Sequence, residues 1–155
     1  MKIIDNAVLD AVSAAAQQSP RLRMNHNLHP SDTSACHRFF NAIEPGSYIR
    51  PHCHQDPEKD ETLVMIRGSL GIVRFDASGT VTASFRLAAS GDKVAVDIPS
   101  GVYHSALSLE SGTIFLEVKA GPYQPLSAEE KAPFAPEEGS PEVAAYLEQL
   151  RGLFD

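Results

Sequence analysis

Residues 46–68 read GSYIRPHCHQDPEKDETLVMIRG, and this segment carries most of the information about the fold and its chemistry. His52 and His54 stand two residues apart in a stretch that predicts a β-strand. Since side chains alternate between the two faces of a strand, both imidazoles should point the same way. Glu61 opens the next predicted strand and can bring a carboxylate to the same point. Imidazole and carboxylate are ligands that many divalent metal ions accept.

A second block, residues 99–104 with the sequence PSGVYH, supplies a further histidine. Gly101 suits a tight turn, and His104 follows it at the start of another predicted strand. A single histidine or an HxH pair is often a plain surface or core feature, so neither would be decisive alone. The ordered set predicts one bound divalent metal ion, and its four candidate ligands are His52, His54, Glu61 and His104.

The middle of the chain reads as a series of short β-strands rich in β-branched and aromatic residues and separated by Gly, Pro, Asp or Ser. Many short strands at fairly even spacing are typical of a β-sandwich or barrel. The predicted strands are CHRFFNAI (36–43), SYIRPHCH (47–54), ETLVMIR (61–67), SLGIVRFD (69–76), TVTASFRL (80–87), KVAVDI (93–98), YHSALSL (103–109) and TIFLEVK (113–119).

A short helix is predicted near each end of the chain. Residues 6–18 have apolar side chains at helical spacing after Asp5, a plausible N-cap, and Ser140 and Pro141 mark the start of a second amphipathic helix. Residues 21–34 read as a polar, irregular segment. The chain is therefore expected to have three parts: 1–34, an N-terminal helix and polar segment that pack on the barrel; 35–121, the barrel; and 122–155, a Pro-rich coil and C-terminal helix.

The composition of the 155 residues narrows the range of partners. The net charge of −7 argues against nucleic acid or an anionic membrane as a partner, since both favour a basic surface. No segment approaches the roughly 20 apolar residues of a membrane span. Cys36 and Cys53 are too few for a disulfide framework, and both read as small packed side chains. We therefore expect a cytoplasmic protein with a small-molecule ligand and neither a nucleic-acid nor a membrane partner.

Two side chains near the histidine pair are candidates for catalysis beside Glu61. Tyr48 and Arg50 share the parity of both histidines, so an unbroken strand would point them into the same cavity. The planar guanidinium of Arg50 suits a carboxylate or phosphate group on a ligand. The alternative for Arg50 is a salt bridge at the barrel mouth with Glu117 or Asp97.

The polar segment ahead of the barrel supplies candidate substrate-binding residues. Ordering so many hydrogen-bonding side chains on a plain loop is entropically costly, which favours a role in covering the barrel mouth and contacting a polar substrate. Ordinary capping and subunit contacts are the alternative. The candidates are Arg21, Arg23, Asn25 and His29, together with Arg50, and Tyr103 and Lys119 are further candidates at the rim.

The two blocks, residues 46–68 and 91–104, resemble the two conserved motifs of the cupin superfamily. The resemblance implies an all-β double-stranded β-helix, or jelly-roll barrel, and assigns the four candidate ligands to the family's metal positions. The gap ahead of Glu61 is longer than in most cupins, which makes Glu58 an alternative carboxylate ligand. The distance from Glu61 to Gly68 matches the motif and favours Glu61.

A closer resemblance covers nearly the whole chain. Five segments together are similar to the WbuC family of cupin-fold metalloproteins, whose members are often associated with O-antigen and other surface-polysaccharide gene clusters. The segments are SPRLRMNHNLH (19–29), PGSYIRPHCH (45–54), DETLVMIRGSLGIVRFD (60–76), IPSGVYHS (98–105) and FLEVKAGPYQP (115–125).

Three histidines and one carboxylate leave coordination positions open, as in a catalytic rather than a closed structural site. The ligand set is compatible with Fe(II), Mn(II), Ni(II), Co(II) or Zn(II). We expect a metal-dependent isomerase, epimerase or lyase for a small polar substrate, such as a sugar or sugar nucleotide of surface-polysaccharide metabolism. Two alternatives stay open: a non-catalytic module that binds a carbohydrate or acid, and an Fe(II) dioxygenase. The apolar faces of the terminal helices also predict a homodimer.

Overall fold

The computed structural model describes the whole chain, Met1 to Asp155, as two antiparallel sheets with a helix near each end. The helices are α1 (Asn6–Gln18) and α2 (Val143–Arg151), and the strands are β1 (Arg23–Asn27), β2 (Cys36–Ile43), β3 (Glu61–Arg67), β4 (Ser69–Phe75), β5 (Val81–Ala88), β6 (Ala95–Ile98), β7 (Tyr103–Ser108) and β8 (Thr113–Ala120). The strand orders are β1-β2-β8-β3-β6 in one sheet and β5-β4-β7 in the other. The predicted all-β jelly roll with two flanking helices is confirmed.

The main hydrophobic core is built from side chains of both sheets, including Phe115 of β8 in the five-stranded sheet and Ile72 of β4 in the three-stranded sheet. Since side chains alternate along a strand, one face of β3 and β8 supplies every second residue to the interior. That face changes from apolar to charged toward the start of β3. From the apolar end to the charged end, the pairs of facing residues on β3 and β8 are Met65 with Phe115, then Leu63 with Glu117, then Glu61 with Lys119.

Helix α1 packs on the five-stranded sheet. Leu9 and Val12 are buried in a cluster that includes Phe40 of β2 and Ile114 of β8. The predicted N-cap is present, because the carboxylate of Asp5 accepts a hydrogen bond from the backbone N–H of Val8 at 3.1 Å. This pattern of one apolar stripe against a sheet is what the helical spacing predicted.

Helix α2 packs on the three-stranded sheet, with Leu147 and Leu150 buried beside Val73 of β4. It begins at Val143, later than predicted, and Ser140 does not cap it. Both helices therefore bury their apolar stripes against their own chain. The uncovered helix faces that suggested a homodimer are accordingly not present, and the homodimer stays a prediction.

Two segments differ from the prediction. Residues 47–54 do not form a ladder strand; within them only His52 makes β-bridges, with His104 and Lys131. Pro51 has no N–H to donate to a ladder, and this segment links the two sheets instead. Conversely, Arg23–Asn27 forms the edge strand β1 in antiparallel pairing with β2, although its sequence read as irregular.

The two cysteines have different surroundings. Cys53 is buried, as predicted, whereas Cys36 at the start of β2 is exposed, so its prediction as a packed side chain is wrong. None of the helices has the length and apolar character needed to cross a bilayer.

Candidate metal centre

The four predicted ligands meet where the two sheets face each other. Ligand atoms of His52, His54 and Glu61 all lie within 4.8 Å of one another, a cluster that could hold a metal ion. His104 joins this cluster through Glu61, with 3.1 Å between its Nε2 and Glu61 Oε2. His52, Glu61 and His104 line a cavity of about 640 Å³.

Local backbone geometry holds the two sheets together at this point. His52 and His104 exchange backbone hydrogen bonds of 3.0 and 2.9 Å, which ties the irregular segment to β7. Gly101 adopts a φ of 77° in the turn before β7, a conformation that glycine adopts without strain, and its N–H donates to the carbonyl of His54 at 2.7 Å. Together these contacts fix the backbone of three histidines at one end of the cavity.

Hydrogen bonds also fix the orientation of two imidazoles. Nδ1 of His52 lies 2.9 Å from the carbonyl of Arg50, and Nδ1 of His104 lies 2.9 Å from the carbonyl of Val102. Because a carbonyl can only accept, each Nδ1 carries the hydrogen, and a neutral ring then presents an Nε2 lone pair.

This arrangement fits a cation. In its neutral form, the lone pair of His104 Nε2 faces a carboxylate oxygen of Glu61 at 3.1 Å, and two acceptors at that distance repel. A proton on the ring or a metal ion between the groups would remove the repulsion. A set of neutral imidazoles and one carboxylate is the donor chemistry that borderline divalent ions take.

Burial and charge shape the protonation of these groups. Burial, reinforced by the neighbouring His104, lowers the pKa of His52 to about 3, so its imidazole is neutral at physiological pH. Burial opposes ionisation of Glu61, but the close contacts with the His104 and His54 rings and the charge of Lys119 hold its pKa well below the ordinary value. The neutral His52 and the ionised Glu61 are both in the form that metal binding requires.

The choice between the two candidate carboxylates is clear in the geometry. Glu61 is buried, and its Oε1 lies 2.8 Å from His54 Nε2. Glu58 is exposed on the preceding turn, where its N–H donates to Asp56. Glu61 is therefore the carboxylate that lies with the histidines.

Two charged residues of β8 extend the cluster into the cavity. Lys119 Nζ lies 2.6 Å from Glu61 Oε1 and 2.7 Å from Glu117 Oε1. Burial, followed by the negative charge of Glu61, raises the pKa of Glu117 to about 7. From the sequence, Lys119 was expected at the rim and Glu117 only as a possible partner of Arg50. Glu117 and Lys119 lie two and four residues after Phe115, so the alternation of side chains along β8 puts all three on the same face. This spacing was the signal that could have placed both charged side chains in the cavity.

The expectation that Tyr48 and Arg50 reach the cavity is corrected. The Tyr48 hydroxyl donates to the Pro136 carbonyl at 2.9 Å, and its ring packs in the cluster under α2. The Arg50 guanidinium donates to the Ala132 carbonyl at 3.0 Å and lies 3.6 Å from Glu137. Because residues 47–54 are not a ladder strand, parity with the histidines does not determine where these side chains point.

The alternative partners of Arg50 are also engaged elsewhere. Asp97 accepts a hydrogen bond from the Thr62 hydroxyl at 2.6 Å. Glu117 contacts Lys119 and accepts from the Asn41 amide at 2.6 Å. The predicted salt bridge of Arg50 with either residue is therefore not formed.

Four of the five predicted substrate-binding residues line the outer part of the same cavity, and the fifth, Arg50, does not line it. Arg21, Arg23, Asn25 and His29 all line it. Arg21 and Arg23 share the carboxylate of Glu138, at 2.7 and 2.9 Å. The His29 ring stacks on His37, which the sequence analysis did not single out, with 4.0 Å between ring centroids. His37 shares an alternating face of β2 with Phe39 and Asn41, all three of which line the cavity.

Solved structures share this fold at low identity. TT1209 from Thermus thermophilus is 20% identical over 77% of this chain and 97% of that chain, with a TM-score of 0.54. A conserved protein of unknown function from Streptococcus pyogenes, SPY1581, is 15% identical over 79% of this chain and 90% of that chain, with a TM-score of 0.52. A cupin-2 domain-containing protein from Shewanella frigidimarina is 18% identical over 63% of this chain and 80% of that chain, with a TM-score of 0.48.

No curated protein matches the sequence. A family described as "Domain of unknown function (DUF6016)" matches residues 4–87, which include α1 and the HxH–Glu segment. Since this match spans more than half of the chain, the protein belongs to the DUF6016 family.

Proposed function

We propose that this protein is a metal-dependent enzyme that acts on a small polar substrate. The observation that carries the proposal is the convergence of His52, Glu61 and His104 at the wall of a cavity of about 640 Å³. A structural metal is normally enclosed by its ligands, whereas a catalytic one borders a space that a substrate can enter. The volume is within the range of about 300–1,000 Å³ that small-molecule sites occupy.

The residues that would hold the ion are His52, His54, Glu61 and His104. Such an ion would supply Lewis acidity toward an oxygen of the substrate, or redox chemistry if it were iron or manganese. Glu61 is held by Lys119 at 2.6 Å, which keeps its charge balanced in a buried place.

The protein's own side chains would bind and orient the substrate. At the outer part of the cavity, Arg23 and Asn25 offer hydrogen-bond donors, and the Asn25 amide can also accept. Glu117 lines the inner part, where its carboxylate can accept a hydrogen bond from a substrate hydroxyl. Mixed donors and acceptors around one cavity suit a ligand with several hydroxyl groups.

A sugar or sugar nucleotide as the substrate, a role in surface-polysaccharide metabolism and membership of the WbuC group remain parts of this proposal. They are supported by the sequence segments that resemble WbuC proteins, among them residues 19–29 and 115–125. Arg21, Arg23 and Asn25 lie in the first of these segments and line the outer cavity, which is consistent with a ligand site there.

The test is turnover with and without metal. Freshly purified protein, protein stripped with a chelator and reconstituted protein are incubated with sugar nucleotides, sugar phosphates and small acids, and products are followed by NMR. We expect conversion that disappears on stripping and returns with one divalent metal. Conversion by the folded, stripped protein at the same rate would contradict the proposal. Metal-dependent binding without conversion would favour a binding module, and oxygen consumption would favour a dioxygenase.

A further inference from the structure

A second cavity, of about 200 Å³, reaches the candidate metal centre from another side. His52 and His54 form part of its wall, and Lys59, Lys119 and His37 supply the remaining basic side chains. No aspartate or glutamate lines it. The cavity wall therefore carries two ammonium groups and no carboxylate, an environment that favours a negatively charged occupant.

The two lysines of this cavity differ in how their charges are balanced. Lys119 is neutralised by Glu61 and Glu117, at 2.6 and 2.7 Å. Lys59 is only 9% exposed, yet its ammonium group makes no salt bridge and no hydrogen bond with any other residue. Its backbone N–H donates to the Asp56 carbonyl at 3.0 Å, so the turn holds the residue at this place.

The Lys59 residue is little exposed, so its unpaired ammonium group is only partly hydrated, and a bound anion would stabilise the charge. Because Lys59 lines the cavity that His52 and His54 also line, an anion bound there would lie beside the metal centre.

We propose that the smaller cavity binds the anionic group of the substrate, a phosphate or a carboxylate, with Lys59 as its charge partner. This inference rests on the proposed function, since it assigns the substrate of that same site. A cavity of about 200 Å³ is too small for a whole sugar nucleotide, so the rest of the substrate would occupy the larger cavity. The substrate would thus carry a carboxylate or a phosphate group, and sugar phosphates and sugar nucleotides supply the latter.

The experiment measures binding of inorganic phosphate and of acetate by titration calorimetry to the protein with its metal in place. Lys59→Met removes the charge and keeps the length and apolar stem of the side chain. Lys93→Met is the matched control, because it makes the same change in net charge at an exposed lysine beside Asp92. Lys59→Arg tests rescue by a different cation. The metal content of every variant is determined by elemental analysis.

We expect the affinity for at least one of the two anions to fall about tenfold or more in Lys59→Met, since hydrogen bonds between charged groups are the stronger ones. Lys93→Met should bind as the wild type does, and Lys59→Arg should retain most of the affinity. If only phosphate binding weakens in Lys59→Met, the substrate is a phosphate ester. If only acetate binding weakens, the substrate is a carboxylic acid.

Equal affinities in wild type and Lys59→Met, with full metal content, would overturn the inference and leave the proposed function standing. Failure of the wild type to bind either anion at millimolar concentrations would overturn it as well. A folded wild type that holds no metal but binds phosphate through Lys59 would overturn the proposed function and leave the anion site.

Discussion

The two ends of the larger cavity are built differently. At the inner end, His104 and Glu61 are 5% and 3% exposed with 3.1 Å between His104 Nε2 and Glu61 Oε2, and the Lys119 ammonium donates to Glu61. At the outer end, Arg21 and Arg23 meet at Glu138, whose side chain is 39% exposed. The inner end holds a fixed geometry suited to an ion, and the outer end is open to solvent and can adapt to a ligand.

This difference implies that substitutions at the two ends have different consequences. Loss of an inner side chain should reduce metal content, because it removes a donor atom from the cluster. Loss of an outer side chain should leave the metal in place and change stability or ligand affinity.

His104→Ala should have the largest effect. Removing a hydrogen bond that merely supports a metal ligand typically costs about 10–100-fold in metal affinity, and removing a ligand should cost at least as much. The fold should survive, because the backbone hydrogen bonds between His52 and His104 do not need the imidazole. Elemental analysis and circular dichroism measure the two outcomes.

The control for this prediction is His26→Ala. His26 lies on β1 outside both cavities, so its loss should leave the metal content unchanged. A folded His104→Ala protein that retains near-stoichiometric metal would count against His104 as a ligand.

The next largest effect is expected for the carboxylate. Glu61→Ala should lose metal, whereas Glu58→Ala should keep it, because Glu61 Oε1 lies 2.8 Å from His54 and Glu58 lies on an exposed turn. Both variants remove one negative charge from the same segment, so each serves as the control for the other. The reverse result, measured by elemental analysis, would transfer the ligand role to Glu58.

Arg23→Ala should lower stability and leave the metal content intact. The Arg23 side chain is 16% exposed, contacts Glu138 at 2.9 Å and donates to the Tyr48 carbonyl at 2.8 Å. Its removal leaves that carbonyl without this donor and should lower the free energy of unfolding by about 1–3 kcal/mol. Urea denaturation measures the change, and an unaltered midpoint would show that β1 does not depend on these contacts.

The smallest effect is expected for Arg21→Ala. Arg21 uses the same Glu138 carboxylate at 2.7 Å, but its side chain is 61% exposed. Surface ion pairs typically contribute less than about 1 kcal/mol. Denaturation of this variant should therefore resemble that of the wild type. If Arg21→Ala lowered the free energy of unfolding as much as Arg23→Ala does, the difference in solvent exposure between the two arginines would not determine their contributions to stability.

Most of the fold could be predicted from the sequence because most strands alternate or form apolar runs between turn residues. The pattern located β2 and β8 within a residue at either end. It failed for β1, since RMNHN at Arg23–Asn27 lies at a sheet edge and has no buried side chain to produce a pattern. The start of α2 was placed too early because Ser140 and Pro141 precede a turn rather than the helix itself.

The candidate site was predictable where residue chemistry was specific and not where it depended on strand parity. His52, His54 and Glu61 converge although residues 47–54 form no ladder strand, because β-bridges and turn contacts hold the segment. Tyr48 and Arg50 were placed by parity alone and lie elsewhere. Which side chains face a cavity from an irregular segment is decided by packing against distant residues, and sequence spacing does not contain that information.

A crystal structure of the freshly purified protein with anomalous scattering data would test the metal centre without substituting any residue. We expect one anomalous peak between His52, His54, Glu61 and His104, with metal–nitrogen and metal–oxygen distances of about 2.0–2.3 Å. Well-ordered density for all four side chains with no peak among them, from protein never exposed to a chelator, would contradict this expectation.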